Sequence, residues 1–348
     1  MKTITFGRSA ISRTGSCYVI AEIGHNHQGN LDTALKMIEV AAGCGANAVK
    51  FQKRNNRALF TRSFYNRPYE NENSYGRTYG EHREHLEFSR DEYLELKRCA
   101  DEKGVEFIAT AFDFESVDFL EDIDVSSYKV ASGDLTNTPL LERIAHLGKP
   151  MFISTGAASM EETRIAYETV RALNDKVCLL HCIAAYPADY EYLNLRVISR
   201  FLEEFPDAVI GYSGHDNGIL AAVIAYMLGA TVIEKHFTLN RAWKGTDHKF
   251  SLEPEGLRKQ VRDLRRVQIA LGDGVKRAYD FELEARKKMG KGIYAARDLP
   301  AGTELTLRDI CFKTPANDTP VYLIASMLGK RTKMPLGEEQ PLSPDMVE

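Results

Sequence analysis

Short apolar runs at residues 17–20, 48–52, 106–109, 127–130, 151–154, 177–181, 209–212 and 231–235 alternate with longer stretches whose apolar positions recur every three to four residues. The short runs have the length of buried strands. The longer stretches, among them 31–44, 90–103, 161–173 and 219–228, read as amphipathic helices. Glycine often follows a helical stretch (Gly43 and Gly45, Gly104, Gly148, Gly229), where a helix hands over to an inward-running strand. Eight strand–helix units within about 250 residues predict an α/β fold, a (β/α)8 TIM barrel. An open doubly wound sheet is the alternative, disfavoured because no G-x-G-x-x-G loop opens the first helix.

Two stretches depart from the alternation. Residues 54–89 are polar, poor in aliphatic side chains and rich in aromatic ones (Phe60, Phe64, Tyr65, Tyr69, Tyr75, Tyr79), the composition of an ordered functional loop or lid. Residues 275–289 are charged and helical. Beyond them short strand-like runs alternate with Pro/Gly turns, first at 292–296 and 310–313 and again at 328–333 before Pro335 and Gly337. The predicted division is a barrel domain at 1–274, a linker at 275–289 and a small β-rich domain at 290–348.

The chain of 348 residues is 44% hydrophobic, enough for a sizeable core. Its net charge of −4 argues against a nucleic-acid partner. No apolar run approaches the ~20 residues that span a membrane. Residues 1–16 are polar with no apolar signal core, so a cytoplasmic protein is expected. The six cysteines are scattered and form no C-x-x-C pair, as expected of free thiols in a reducing compartment.

In a barrel the chemistry collects at the C-terminal strand ends. Those ends carry Glu22, Lys50 and Gln52, Thr110, Lys129 and Ser132, Ser154, His181 with Tyr186 beyond, Ser213 and His215, and Glu234 and His236. Two lysines and four hydroxyls facing one cavity suit phosphate and carboxylate. Pairing to Glu22 or Glu234 is the structural alternative for one of the lysines. His215 and His236 end neighbouring strands about 4.8 Å apart and can share one divalent ion; the alternative is a pair of hydrogen-bonded structural histidines. Glu234 alternates onto the face of His236 as ligand, ligand support or base. The first strand runs into Glu22-Ile23-Gly24-His25-Asn26-His27-Gln28-Gly29. Its glycines permit a tight turn, Asn26 and His27 are expected in the pocket wall, and His25 is expected to face solvent.

These motifs resemble the sialic acid synthase family, the N-acetylneuraminate synthases and their 9-phosphate-forming relatives. The matching segments include Glu22–Gly29, Val49-Lys50-Phe51-Gln52, the stretch 78–89, Lys129-Val130-Ala131-Ser132-Gly133-Asp134, Gly211-Tyr212-Ser213-Gly214-His215, Val232-Ile233-Glu234-Lys235-His236 and Trp243-Lys244-Gly245-Thr246-Asp247-His248. The tail resembles the family's antifreeze-like, or SAF, domain. The resemblance implies a transferase that condenses phosphoenolpyruvate with N-acetylmannosamine and releases phosphate. It implies a divalent metal, most commonly Mn2+ with Mg2+ or Co2+ as alternatives, on His215 and His236. It further implies a phosphoenolpyruvate pocket of Lys50, Thr110, Lys129, Ser132, Ser154 and Ser213, catalytic Glu22, sugar contacts at Gln52, Tyr186 and Asp247, and a domain-swapped homodimer. In that chemistry the metal polarises the open-chain aldehyde and C3 of phosphoenolpyruvate attacks it. Water then adds at C2 and phosphate leaves by C–O cleavage.

Two departures bear on the substrates. Ala184 stands where the family commonly has a polar residue, removing one phosphate-side hydrogen bond. An arginine that some members offer from the SAF domain is replaced in Phe312-Lys313-Thr314-Pro315. The acceptor is therefore N-acetylmannosamine, its 6-phosphate or mannose 6-phosphate, a phosphate being within the chemistry of Lys313 or of the basic stretch 54–83. Competing readings are a Schiff-base aldolase using Lys50 or Lys129, and a carbohydrate- or ice-binding SAF module on an inactive barrel.

Overall fold

Side chains alternate across a strand, so each barrel strand sends every second residue inward and the others toward the helices. The computed structural model describes residues 3–348 and divides into two compact units, Met1–Leu271 and Gly272–Glu348. The first opens with an antiparallel hairpin, β1 (Thr3–Phe6) and β2 (Ser9–Ser12). Eight parallel strands follow: β3 (Tyr18–Gly24), β4 (Ala48–Lys53), β5 (Glu106–Ala111), β6 (Tyr128–Val130), β7 (Met151–Ser154), β8 (Val177–Cys182), β9 (Val209–Gly214) and β10 (Val232–His236). They close in sequential order, with β10 pairing back onto β3. The predicted TIM barrel is the observed fold, and each strand starts within a residue of its predicted position.

The helices of this unit are α1 (Leu31–Gly43), the short α2 (Asn56–Leu59), α3 (Arg62–Tyr65) and α4 (Tyr79–His85), then α5 (Arg90–Lys103), α6 (Phe114–Asp122), α7 (Thr138–Ala145), α8 (Met160–Arg171), α9 (Val197–Glu204), α10 (Leu220–Met227) and α11 (Pro254–Leu271). Local chemistry sets their starts. Ser89, Ser159 and Thr78 each accept the backbone N–H three residues on, and Glu92, Glu162 and Glu81 return the bond. Outward residues such as Val19, Ala21, Ile23, Val49 and Phe107 join the helices in one large apolar cluster. The lower inward layer, including Tyr18, Ile20, Ala48, Ile108, Phe152, Leu180 and Val232, clusters with Ile4, Phe6 and Ile11 of the hairpin. Phe6 meets Tyr18 and Phe152 edge-on with ring centroids 5.5 and 5.4 Å away. The polar-looking N-terminus thus supplies apolar cover for the inner layer at the strands' N-terminal ends, because its three large apolar residues share one face of the hairpin.

The second unit contains α12 (Asp280–Met289) and an antiparallel pair, β11 (Gly292–Ala295) with β12 (Ile310–Lys313), over a small core of Ile293, Leu299, Leu305, Met327, Leu336 and Leu342. The second strand-like cluster expected after residue 328 forms only isolated bridges, such as Glu304 to Arg331 and Leu299 to Leu336. Prolines at 335 and 341 lack the N–H that a continuous ladder requires. No helix among the described residues is long and apolar enough to cross a membrane.

Candidate active site

Two residues above the apolar inner layer the inward positions turn polar. Ile20 is followed on its face by Glu22, Ala48 by Lys50, Ile108 by Thr110, Phe152 by Ser154, and Val232 by Glu234 and then His236. Strand register sets these groups side by side: His236 opposite Glu22, Glu22 opposite Lys50, Thr110 opposite Lys129 and Glu234 opposite Ser213. Together with Gln52, Ser132, Ser154, Tyr186, His215 and Asp247 they line one cavity of about 440 Å³. The catalytic, metal, phosphoenolpyruvate and sugar positions expected from the sequence all line it, whereas His181 donates to the Leu193 carbonyl and does not.

The cavity floor is ionic. Lys50 Nζ lies 2.7 Å from Glu22 Oε2 and 3.7 Å from Glu234 Oε1, and donates to Thr110 Oγ1 at 3.1 Å. Gln52 Nε2 donates to Glu22 Oε1 at 2.5 Å, and Ser213 Oγ to Glu234 Oε1 at 3.1 Å. Burial opposes charge on all three ionic groups. For Lys50 the two carboxylates outweigh it and raise the pKa above the usual lysine value. Glu234 is held below the ordinary range because Lys50, Lys129 and His236 overcome its desolvation. Glu22 is pushed up by burial and by Glu234, against the pull of Lys50 and Gln52. One lysine is therefore paired and the other is not. Among the described residues Lys129 has no carboxylate within ion-pair distance; it donates to Val130 O at 2.8 Å, and burial lowers its pKa. Ser154 Oγ and Glu234 Oε2, both buried, have no hydrogen-bond partner. An unpaired buried cation beside an unsatisfied hydroxyl marks a place for an anionic ligand, whereas the free oxygen of Glu234 calls for a donor or a cation.

The rings of His215 and His236 stand 5.3 Å apart, against the rings of Tyr186 and Phe250. His215 Nδ1 lies 2.8 Å from the Ile183 carbonyl, which can only accept, so Nδ1 carries the proton and Nε2 the free lone pair. Burial lowers His215 to about 3 and His236 to about 4, so both rings are neutral at physiological pH. His236 Nδ1 is buried without a hydrogen-bond partner and lies 3.7 Å from Asp247 Oδ2. No group of three His, Cys, Asp or Glu among the described residues is arranged around a metal position. Two neutral imidazoles, one oriented by a backbone carbonyl, nevertheless fit the donor set of a divalent ion that takes its other ligands from substrate and water.

The loop after β3 is held tightly. Gly24 (φ 53°) lies where a Cβ would be 3.0 Å from Glu22 Oε1, and Gly29 (φ 74°) where a Cβ would strike the His85 carbonyl. Asn26 Nδ2 donates to Phe237 O and Ser251 Oγ, both at 2.9 Å. Three expectations fail here. Asn26, tied to Phe237 and Ser251, does not line the main cavity. His27 does not line the main cavity; its ring packs 4.3 Å from that of Phe88. His25 does not face solvent but lines the cavity between Arg54 and Arg83. These arginines, at the two ends of the 54–83 stretch, were legible only as part of a basic loop. The signal that could have singled out Arg54 is its place immediately after β4. Ala184 lines the cavity and offers no side-chain hydrogen bond, as its sequence implies. Lys313 in the second unit is ion-paired to Glu339.

Known proteins resemble this chain in sequence and fold. Residues 37–276 match the NeuB family and residues 290–348 the SAF domain. The chain is 44% identical over 333 residues to the N-acetylneuraminate-9-phosphate synthase of Homo sapiens, covering 95% of this chain and 93% of that protein. It is 36% identical to the N,N'-diacetyllegionaminic acid synthase of Legionella pneumophila, covering 92% of each. A crystal structure of N-acetylneuraminic acid synthetase from Leptospira borgpetersenii, in complex with citrate, superposes with a TM-score of 0.72 at 33% identity, covering 82% of this chain and 95% of that one. With the barrel, its ionic floor and a C-terminal SAF domain in one chain, the protein belongs to the NeuB family, transferases that condense phosphoenolpyruvate with a sugar.

Proposed function

We propose that this enzyme joins phosphoenolpyruvate to an open-chain N-acetylmannosamine, free or as its 6-phosphate, in the cavity above the barrel strands. The observation that carries the assignment of sites is the asymmetry of the two lysines. Lys50 is ion-paired to Glu22 and Glu234, whereas buried Lys129 feels Glu234 only from beyond ion-pair distance. Lys129, Ser132, Ser154 and Ser213 then bind the carboxylate and phosphate of phosphoenolpyruvate, with Thr110 and Lys50 completing the pocket. Gln52, Tyr186 and Asp247 hold the sugar.

His215 and His236 would hold the divalent cation, Mn2+ in this proposal, and Glu234 supports that site. When bound, the cation supplies Lewis acidity to the sugar's carbonyl. The protein's own contribution is positioning and charge. The anion pocket fixes phosphoenolpyruvate so that C3 meets the aldehyde carbon and a C–C bond forms. Positive charge then grows at C2, and the ionised form of Glu22 stabilises it. Water adds to C2, and its proton passes to Glu22, whose raised pKa suits it to accept one. Glu22 returns that proton to the new sugar alkoxide; as the C2–O bond breaks, the C2 hydroxyl gives its proton to the departing phosphate, leaving the ketone and inorganic phosphate in the anion pocket. A Schiff-base route through Lys50 is opposed by its ion pairs, which keep the amine protonated. A domain-swapped homodimer and a cytoplasmic location belong to the same proposal; exposed Tyr186, Tyr190 and Tyr192, between 49% and 63% accessible, support a covering partner.

The test is phosphate release from phosphoenolpyruvate with N-acetylmannosamine, its 6-phosphate or mannose 6-phosphate. Release that depends on an N-acetylated sugar is expected. Release without sugar, or borohydride trapping of a pyruvate adduct on a lysine, would overturn the reading.

A further inference from the structure

At one side of the cavity two guanidinium groups, which carry only donors, face one imidazole. Arg54 NH1 lies 2.9 Å from His25 Nε2, and Arg83 NH1 lies 3.0 Å from His25 Nδ1. A neutral imidazole has one acceptor nitrogen and one N–H, so it can accept from only one of the two guanidinium groups. The other contact sets N–H against N–H. Protonating His25 would worsen the conflict, and burial together with the two arginines holds its pKa well below the usual value.

Glu87 and Asp247 act on these arginines only from a distance. Among the described residues no carboxylate lies within ion-pair distance of Arg54 or Arg83. Glu84, next to Arg83 in sequence, faces Arg57 and the Tyr65 hydroxyl, and Glu87 is engaged by Lys53 Nζ at 3.0 Å and by the Arg54 backbone N–H at 3.3 Å. Arg54 is 8% exposed and lies flat on Phe112, 3.6 Å from its ring centroid. Arg83 is braced by Tyr79, whose hydroxyl accepts from Nε at 3.0 Å and from NH2 at 2.7 Å. Two held, partly desolvated guanidinium groups without a counter-charge at ion-pair distance are costly unless an anion joins them. Arg54 NH2 also donates to Gln52 Oε1 at 2.7 Å, and Gln52 Nε2 donates to Glu22. One side chain therefore links Arg54 to the carboxylate proposed to act at the reacting carbons. An acceptor lying along Gln52, with its aldehyde toward His215 and His236, extends its far end toward Arg54 and Arg83.

We infer that Arg54 and Arg83, spaced by His25, form the subsite for a phosphomonoester on the acceptor's terminal carbon, and that this subsite selects a 6-phosphorylated N-acetylhexosamine over the free sugar. This rests on the synthase reading above. The phosphate accepts from the guanidinium that His25 cannot satisfy. Because phosphoenolpyruvate adds three carbons at the aldehyde end, a 6-phosphate on the acceptor becomes a 9-phosphate on the product.

The experiment compares kcat/KM for N-acetylmannosamine 6-phosphate and N-acetylmannosamine in the wild-type enzyme, Arg83→Gln, Arg83→Lys and Arg54→Gln. The wild type should favour the phosphorylated sugar by about a hundredfold or more, the scale of two charge-assisted contacts. Arg83→Gln should cut that ratio at least about tenfold, mainly through KM of the phosphorylated sugar, and Arg83→Lys should restore part of it. The half-buried Arg83 is the primary site because Arg54 lies in the packed wall, where a folding defect would lower both activities together. A wild-type ratio near one, or an Arg83→Gln variant that slows both sugars equally, would overturn the subsite while leaving the synthase intact. If neither sugar elicits phosphate release, the synthase reading falls and takes the subsite with it.

Discussion

Lys50 Nζ stands 2.7 Å from Glu22 Oε2 across the register of the first two barrel strands, with both side chains all but removed from solvent. The pair couples the group proposed to handle the proton with one wall of the anion pocket. Glu22→Gln preserves the shape and a hydrogen bond to Lys50, but removes the charge and the basic oxygen. Its kcat should fall roughly 100- to 1,000-fold, the usual scale for a general base, with KM for phosphoenolpyruvate changed much less. Steady-state phosphate release measures both, and an unchanged kcat would remove Glu22 from the mechanism.

Lys129 presents the opposite balance. A buried lysine without a paired carboxylate weakens the fold while it serves a ligand. Lys129→Met should therefore raise the melting temperature of the free enzyme and raise KM for phosphoenolpyruvate about tenfold to a hundredfold. Thermal unfolding with and without phosphoenolpyruvate checks both halves. Ligand-induced stabilisation should shrink as the baseline rises.

The neutral pair at His215 and His236 predicts dependence on a divalent ion. Chelation with EDTA should stop phosphate release and Mn2+ should restore it. Alanine at either histidine should lower turnover by at least about a thousandfold, the scale of several kcal/mol of lost charge stabilisation. The binding itself can be followed by calorimetry with Mn2+ alone, where either variant should abolish the site. Full activity in metal-free enzyme would refute the assignment.

His27 predicts an acid limb in stability. Burial against Phe88 lowers its pKa to about 3, and its Nδ1 accepts the Gly29 N–H at 3.0 Å, a bond that protonation would break. Above its unfolded pKa of about 6.5 the ring is neutral in both states. Between about 6.5 and 3 the unfolded chain binds the extra proton, so stability falls as pH falls through that window. At pH 5 the contribution is about 2 kcal/mol. His27→Gln should flatten the decline in denaturant midpoints between pH 6.5 and 5, although it lowers stability at neutral pH. An unaltered slope would show that His27 is not the group responsible.

Much of this architecture was legible from local pattern. Each buried strand of the barrel is a compact apolar run flanked by helical periodicity. Parallel strands ordered in sequence leave few topologies, and the polar residue at the end of each run therefore fell at the mouth. The N-terminal hairpin was missed because Ile4, Phe6 and Ile11 are separated by polar residues and form an apolar face only when the two strands pair.

The sequence by itself determined which chemical groups stand at the strand ends, since period-two alternation sends every second one inward whatever the neighbouring strands contain. It could not decide their charge states or partners, because those depend on distances between residues far apart in the chain. Tertiary structure alone paired Lys50 with both Glu22 and Glu234 and left Lys129 with no carboxylate at ion-pair distance. It also carried Arg83 across 58 positions to His25. That contact is invisible to local pattern because the loop bearing Arg83 must first fold over the cavity. The groups are local chemistry, whereas their electrostatic balance arises from low-dielectric packing.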